Sequence, residues 1–257
     1  MFGRRKIAAL VAEFLGTGAL TLLLLSVQRS TIGVPFFVAA AAGLTISLMT
    51  FALYRVSGAQ FNPALTIALF TARKLTIIRT VTFLLAQFLG AYLAYLLYTY
   101  FVKNKLQRIG GDFDLRILVA EFIGAAIFSF GYAAVLYQRL SLGTAAAVGG
   151  IAYMIGSIAA SPASLGLINP AVAVGVHAWV LGTYILGPVL GAIVGVNLYG
   201  LLFADREPRL AVAGKPAKIT PVEPVVAVKP GRKPRAASSK VVAAKPVTTT
   251  KRVVRKK

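Results

Sequence analysis

The chain alternates long apolar stretches with short polar segments from residue 7 to residue 203. Between Arg139 and Asp205 it has 65 residues without any Asp, Glu, Lys or Arg, whereas one membrane-spanning helix needs only about 20 apolar residues. Hydropathy predicts six spans, at residues 7–28, 32–54, 80–102, 117–137, 141–160 and 181–203. The pattern therefore predicts an all-α integral membrane domain over residues 1–203.

Two further apolar pieces, residues 62–72 and 169–180, are too short to cross a hydrocarbon core about 30 Å thick at about 1.5 Å per residue. Each piece begins with the same tripeptide, namely Asn62, Pro63 and Ala64 in the first and Asn169, Pro170 and Ala171 in the second. Asn caps a helix N-terminus well, and Pro suits the first helical position. We therefore expect two re-entrant half helices.

The tripeptides belong to a longer internal repeat. Residues 11–16 (VAEFLG) match residues 119–124 (VAEFIG), and the LGA of residues 89–91 recurs at residues 190–192. The first repeat covers about residues 7–102 and the second about residues 117–203. Because each repeat holds three full spans, the second copy is predicted to lie upside down relative to the first.

The charged residues suggest an orientation. Eight basic residues near the spans fall on the side of the termini and five on the other side. Since basic residues favour the cytoplasmic face, we expect both termini in the cytoplasm and the protein in the plasma (inner) membrane. The chain has no cysteine, which excludes disulfides and thiol catalysis, and we expect no cofactor and no bound metal.

Half helices at membrane depth predict a pore. Irregular backbone inside a bilayer is tolerated only where protein or water covers it, so half helices that enter from opposite faces should line an aqueous path. Their N-termini carry partial positive charges, which repel cations. The side-chain amides of Asn62 and Asn169 can then donate hydrogen bonds to a passing water molecule.

Three segments, residues 57–64 (SGAQFNPA), 86–91 (AQFLGA) and 187–192 (GPVLGA), resemble the major intrinsic proteins, the aquaporins and glycerol facilitators. The resemblance implies six transmembrane helices with two re-entrant half helices, assembled as a homotetramer. It also implies passive passage of water and small neutral solutes across the lipid bilayer, with no enzymatic reaction. Two rival interpretations stay open, an ion-conducting or coupled transporter and a membrane anchor for a polyanion-binding tail.

The resemblance also assigns roles to single residues. Glu13 and Glu121 are expected to accept hydrogen bonds from the backbone of the re-entrant loops, with proton transfer as the alternative. The four positions that form the narrowest point of the pore in the family correspond here to small or uncharged residues, Ala42, Ser157, Gly166 and Val172. Val172 stands where the family usually has an arginine. We therefore expect a wide constriction that admits glycerol- or urea-sized solutes and excludes cations less strictly.

Residues 204–257 differ from the rest in composition. They contain seven prolines and fifteen basic against three acidic residues, which predicts a disordered cytoplasmic tail. Basic residues near an anionic lipid surface are attracted to it. Nucleic acid is the less favoured partner, because no aromatic residue for base stacking follows Phe203.

Overall fold

The computed structural model describes residues 3–28, 34–109, 111–178 and 180–204. The predicted basic tail lies outside the described residues from position 205 onward.

The described residues form six long helices and two short ones. The long helices are α1 (Arg4–Gln28), α2 (Pro35–Ser57), α4 (Ile77–Val102), α5 (Leu115–Tyr137), α6 (Leu142–Ala160) and α8 (Gly187–Leu202), the last entered through a π-helical turn (Leu181–Leu186). The short ones are α3 (Pro63–Thr71) and α7 (Pro170–Gly175). Six segments are long and apolar enough to cross a membrane, so the prediction of six transmembrane helices plus two half helices is confirmed.

The observed ends of the spans differ from the predicted ones by three residues or fewer. Local capping explains several of them. Asp114 caps α5 by accepting a hydrogen bond from the backbone N–H of Arg116 at 2.7 Å, and this bond holds the pKa of the Asp114 carboxyl below its ordinary value. Helix α2 ends at Ser57 and is capped by Gly58, whose φ of 97° suits glycine.

The second half helix is shorter than its apolar sequence suggested. Helix α7 ends at Gly175, whereas the apolar piece runs on to residue 180. His177 has a φ of 66°, and Ala178 donates its N–H to the carbonyl of Ala173 at 2.8 Å. This left-handed C-terminal turn stops the helix.

The two repeats pack through glycines. Helices α2 and α6 cross where a Cβ on Gly150 would lie 2.3 Å from the carbonyl oxygen of Gly43, and a Cβ on Gly43 would lie 2.7 Å from that of Gly150. Each of these glycines precedes the Asn of its own half by 19 residues. The crossing therefore joins equivalent positions of the two repeats, as an inverted repeat requires.

Candidate functional site at the two helix starts

The two short helices begin in the same way. Asn62 precedes α3 and accepts a hydrogen bond from Ala64 N–H at 2.9 Å. Asn169 precedes α7 and accepts from the N–H groups of Ala171 and Val172 at 3.1 and 3.3 Å. Each side-chain oxygen thus satisfies amides at the start of its helix, which leaves the side-chain NH₂ free to reach elsewhere.

Each asparagine reaches across to the opposite half. The Nδ2 of Asn62 donates to the carbonyl oxygen of Ile168 at 2.9 Å, and the Nδ2 of Asn169 donates to that of Phe61 at 2.9 Å. Both asparagines are fully buried. An amide NH₂ carries two hydrogens, so each asparagine has one further N–H besides the one bound to the opposite half.

Glu13 of α1 supports the segment that leads into α3, residues 58–62, called here the first entry segment. Its carboxylate accepts hydrogen bonds from the N–H of Gln60 at 3.1 Å and from that of Phe61 at 2.7 Å. Gln87 of α4 donates to the same carboxylate at 2.8 Å. Glu13 is fully buried, and these three donors replace the water that a carboxylate would otherwise need.

Glu121 of α5 has the same relation to residues 165–169, the second entry segment. It accepts from the N–H of Leu167 at 3.0 Å, from that of Ile168 at 2.6 Å and from the hydroxyl of Ser164 at 2.9 Å. It is also fully buried. Both carboxylates therefore bind two consecutive backbone amides immediately before an asparagine.

Both entry segments contain residues with positive φ at matching places. Ala59 and Gly166 lie three residues before their asparagines with φ of 54° and 62°, and Phe61 and Ile168 lie one residue before with φ of 50° and 45°. Such a conformation is uncommon for residues other than glycine and costs each of them about 1–3 kcal/mol. The hydrogen bonds to Glu13 and the equivalent glutamate hold the strained peptides in place.

Glycines make room for the two bulky residues in these segments. A Cβ on Gly16 of α1 would lie 2.2 Å from the ring of Phe61, and a Cβ on Gly124 of α5 would lie 2.7 Å from Cγ2 of Ile168. Gly16 and Gly124 are equivalent positions of the repeat. In each half, the residue before the asparagine therefore packs against a glycine. That glycine lies three residues after the glutamate of the same half.

Within the part of the chain that the structure describes, only the first half extends its glutamate into a side-chain network. Gln87 also donates to the hydroxyl of Thr66 at 2.9 Å, and that hydroxyl donates to the side-chain oxygen of Gln60 at 2.7 Å. In the second half Pro188 stands at the position equivalent to Gln87. Proline has no side-chain donor, so the network has no counterpart there.

The four residues expected at the constriction are all buried, but only two of them are joined by a hydrogen bond. Ser157 of α6 donates its hydroxyl to the carbonyl of Gly166 at 2.6 Å. A Cβ on Gly166 would lie 2.5 Å from the carbonyl oxygen of Ser157, so no larger residue fits. Ala42 and Val172 belong to one buried apolar cluster, each with 0% exposed surface.

Tyr153 of α6 was not among the residues selected from the sequence. Its hydroxyl donates to the carbonyl of Leu167 at 2.7 Å, inside the second entry segment. The repeat offered a signal, because Tyr153 precedes Asn169 by the 16 residues that separate Ile46 from Asn62. The two equivalent positions thus carry a phenol and an aliphatic side chain.

Two more residues missed by the sequence analysis hold the start of the first entry segment. Arg79 of α4 donates to the carbonyl of Ser57 at 2.6 Å and stacks on the ring of Phe83, 4.8 Å from its centroid. The hydroxyl of Tyr132 donates to the carbonyl of Gly58. These bonds fix the point where the chain leaves α2.

The polar groups of this region are amide and hydroxyl donors, carbonyl acceptors and two hydrogen-bonded carboxylates. Among the described residues, no group of three or more His, Cys, Asp or Glu side chains could hold a metal ion. Amides and carbonyls exchange hydrogen bonds with a passing molecule without forming covalent bonds. The arrangement is therefore suited to passage of a polar molecule.

Comparisons with known proteins agree with this geometry. Residues 4–199 match the family described as "Major intrinsic protein". The chain is 29% identical to Aquaporin Z of Photorhabdus laumondii, over 77% of this chain and 98% of that protein. It is 30% identical to Aquaporin NIP1-1 of Oryza sativa, over 76% of this chain and 71% of that protein. An X-ray structure of the Plasmodium falciparum aquaglyceroporin superimposes with a TM-score of 0.63 at 18% identity, covering 77% of this chain and 96% of that chain.

Proposed function

Because the chain belongs to the major intrinsic protein family, we propose that its path admits neutral solutes of urea or glycerol size as well as water. Members of this family are channels, so the protein is a multi-pass membrane channel for water and small solutes and not an enzyme. The proposal about solute size is carried by one observation. Val172, an uncharged residue, follows Ala171 where the family usually has an arginine.

We assign the midplane of the path to Asn62 and Asn169. Each has one amide hydrogen bound to the opposite half and a second that can donate to a water or hydroxyl oxygen. The N-termini of α3 and α7 add partial positive charge at the same place, which disfavours a cation or a hydrated proton. Weak, transient hydrogen bonding of this kind permits fast passage.

We assign the outer constriction to Ala42, Ser157, Gly166 and Val172. An arginine at position 172 would add a fixed charge and five donors, whereas valine adds neither. Neutral solutes with several hydroxyl or amide groups meet less steric hindrance there. The same change weakens the exclusion of cations and leaves the helix N-termini as the main electrostatic barrier.

Glu13 and Glu121 act in this proposal as supports for the two entry segments. Every hydrogen bond that the structure gives their carboxylates comes from a backbone N–H, an amide or a hydroxyl of the protein. Such donors stabilise the charged carboxylate. This supports a scaffolding role over proton transfer, and with it a passive channel over a coupled transporter.

The setting of the channel is also proposed. The distribution of basic residues supports cytoplasmic termini in the plasma (inner) membrane, and the family resemblance supports a homotetramer. The basic residues after position 204 suit contact with anionic lipid on the cytoplasmic face.

The test is stopped-flow light scattering on proteoliposomes with the native protein, Val172→Arg and the size control Val172→Leu. We expect the native protein and Val172→Leu to pass water, urea and glycerol, and Val172→Arg to pass mainly water. An imposed pH gradient should decay at least as fast in vesicles with the native protein as in vesicles with Val172→Arg. Glycerol and urea fluxes that are equal in all three proteins would contradict the assignment of the constriction.

A further inference from the structure

Tyr153 is the largest fully buried side chain among the described residues. It lies on α6 four residues before Ser157, which is about one helical turn and about 6 Å closer to the membrane midplane. Ser157 donates to the carbonyl of Gly166 and Tyr153 donates to that of Leu167. The face of α6 that carries both residues therefore runs along the second entry segment.

The hydroxyl of Tyr153 lies between the proposed constriction and the asparagine pair. Three successive carbonyl oxygens, those of residues 166–168, accept hydrogen bonds from Ser157, Tyr153 and Asn62 in that order. The side chain of Asn169 also interacts with the Tyr153 hydroxyl. A molecule that moves from the constriction toward Asn169 therefore passes the level of this phenol.

The ring of Tyr153 is held at both ends. Its hydroxyl is bound at 2.7 Å, and its ring packs edge-on against Phe128, with centroids 5.0 Å apart and planes at 68°. Edge-to-face packing of this kind stabilises an aromatic pair. These two contacts oppose a movement of the ring that would let a larger solute pass.

The equivalent position in the first half carries Ile46, which is also buried. Helices α2 and α6 cross at Gly43 and Gly150, so Ile46 and Tyr153 lie on opposite sides of that crossing, three residues from it. The two sides of the midplane therefore differ in bulk. Only the side next to Asn169 carries an aromatic ring at this position.

Resting on the channel function proposed above, we propose that Tyr153 is the residue that sets the size limit for solutes. The four constriction residues are small, and on the face of α6 that meets the second entry segment the phenol one turn further inward is the first bulky side chain beyond them. Urea- and glycerol-sized molecules pass it, whereas four-carbon polyols such as erythritol are held back. The hydroxyl, bound to Leu167 and next to Asn169, keeps the ring at this level.

Three variants test the proposal in proteoliposomes, with water, urea, glycerol and erythritol as the probes. Tyr153→Ile copies the residue of the other repeat, Tyr153→Phe removes only the hydroxyl, and Ile46→Val makes a matched small change in the first half. We expect Tyr153→Ile to raise the ratio of erythritol to urea permeability by about tenfold, the lower end of what a site gains by rejecting one extra methylene-sized group. Tyr153→Phe and Ile46→Val should leave that ratio within about twofold, since both keep the ring.

A ratio that is unchanged in Tyr153→Ile, while water flux shows a folded channel, would overturn the assignment. If Tyr153→Ile does not fold, the ratio of erythritol to urea permeability is measured for Ser157→Ala instead. A rise in the erythritol ratio for Ser157→Ala places the limit at the outer constriction and overturns the assignment, and no rise supports it. If the native protein passes neither water nor urea faster than empty vesicles do, the proposed function itself is wrong and this inference falls with it.

Discussion

In the first half of the chain, Glu13 is linked to Gln87 and through it to a buried polar network. In the second half Pro188 stands in the place of Gln87, and the side-chain contacts of Glu121 end at Ser164. Both glutamates nevertheless bind two consecutive amides before an asparagine. The frame of the repeat thus depends on the backbone contacts, while the side-chain contacts have diverged.

The second half differs in another way, because two hydroxyls of one helix, α6, bind consecutive carbonyls of its entry segment. Ser157 and Tyr153 of α6 donate to successive carbonyls there, whereas the first entry segment accepts from Tyr132 near its start. The first half is therefore stabilised by buried amides, and the second half carries the groups that we connect with solute size. The two halves thus share the backbone contacts of their glutamates but differ in the side chains that we connect with solute size.

Removal of the glutamates should give the largest effects. Glu13→Ala leaves the N–H groups of Gln60 and Phe61 without a partner and removes one of the two hydrogen bonds that the Gln87 amide donates. Glu121→Ala leaves two, because the Ser164 hydroxyl can still use the carbonyl of Ala160 at 3.1 Å. Each donor left without a partner costs about 1–3 kcal/mol. We therefore expect the free energy of unfolding to fall further in Glu13→Ala than in Glu121→Ala, by about the cost of one donor.

Thermal unfolding in detergent, followed by circular dichroism, measures this difference. The control is Leu85→Ala, at a side chain that is 66% exposed on the outer surface of α4 and that should leave the unfolding temperature nearly unchanged. Equal losses for the two glutamate variants would show that the additional network of the first half contributes nothing to stability.

A pair of glycine exchanges should act in opposite directions. Gly166→Ala puts a Cβ 2.5 Å from the carbonyl oxygen of Ser157 at a φ of 62°, so it should destabilise the second entry segment by about 2 kcal/mol or more. Ala59→Gly, at the equivalent place with a φ of 54°, should relieve strain and stabilise the protein by up to about 1 kcal/mol. Unfolding temperatures of both variants are the measurement, and a loss for Ala59→Gly would contradict the role assigned to strain.

Loss of the amide in the first-half network should have a smaller effect. Gln87→Leu removes donors to the carboxylate of Glu13 and to the hydroxyl of Thr66, and we expect a loss of about 1–3 kcal/mol. Pro188→Ala, at the equivalent place in α8, removes no hydrogen bond and should lose less than about 1 kcal/mol. Denaturant unfolding of the two variants side by side compares them, and a larger loss for Pro188→Ala would reverse the interpretation.

The sequence predicted the helices because helix length and capping depend on local chemistry. Apolar length predicted the six spans, and the Asn-Pro starts predicted α3 and α7, since capping acts within a few residues. The sequence did not predict the hydrogen bonds from Asn62 to Ile168 or from Tyr153 to Leu167, which join residues 106 and 14 positions apart. Such contacts depend on how α6 and the entry segments meet in space, and hydropathy carries no information about that.

The most direct test of the account is the osmotic water permeability of vesicles that contain the native protein or the double variant Asn62→Leu with Asn169→Leu. Leucine has nearly the shape of asparagine but no donor, so the variant removes both midplane amides. We predict that native vesicles shrink faster than empty ones and that vesicles with the double variant, if it unfolds at a measurable temperature in detergent, shrink at the rate of empty ones. A folded double variant that conducts water as fast as the native protein would contradict the claim that the path runs between the two asparagines.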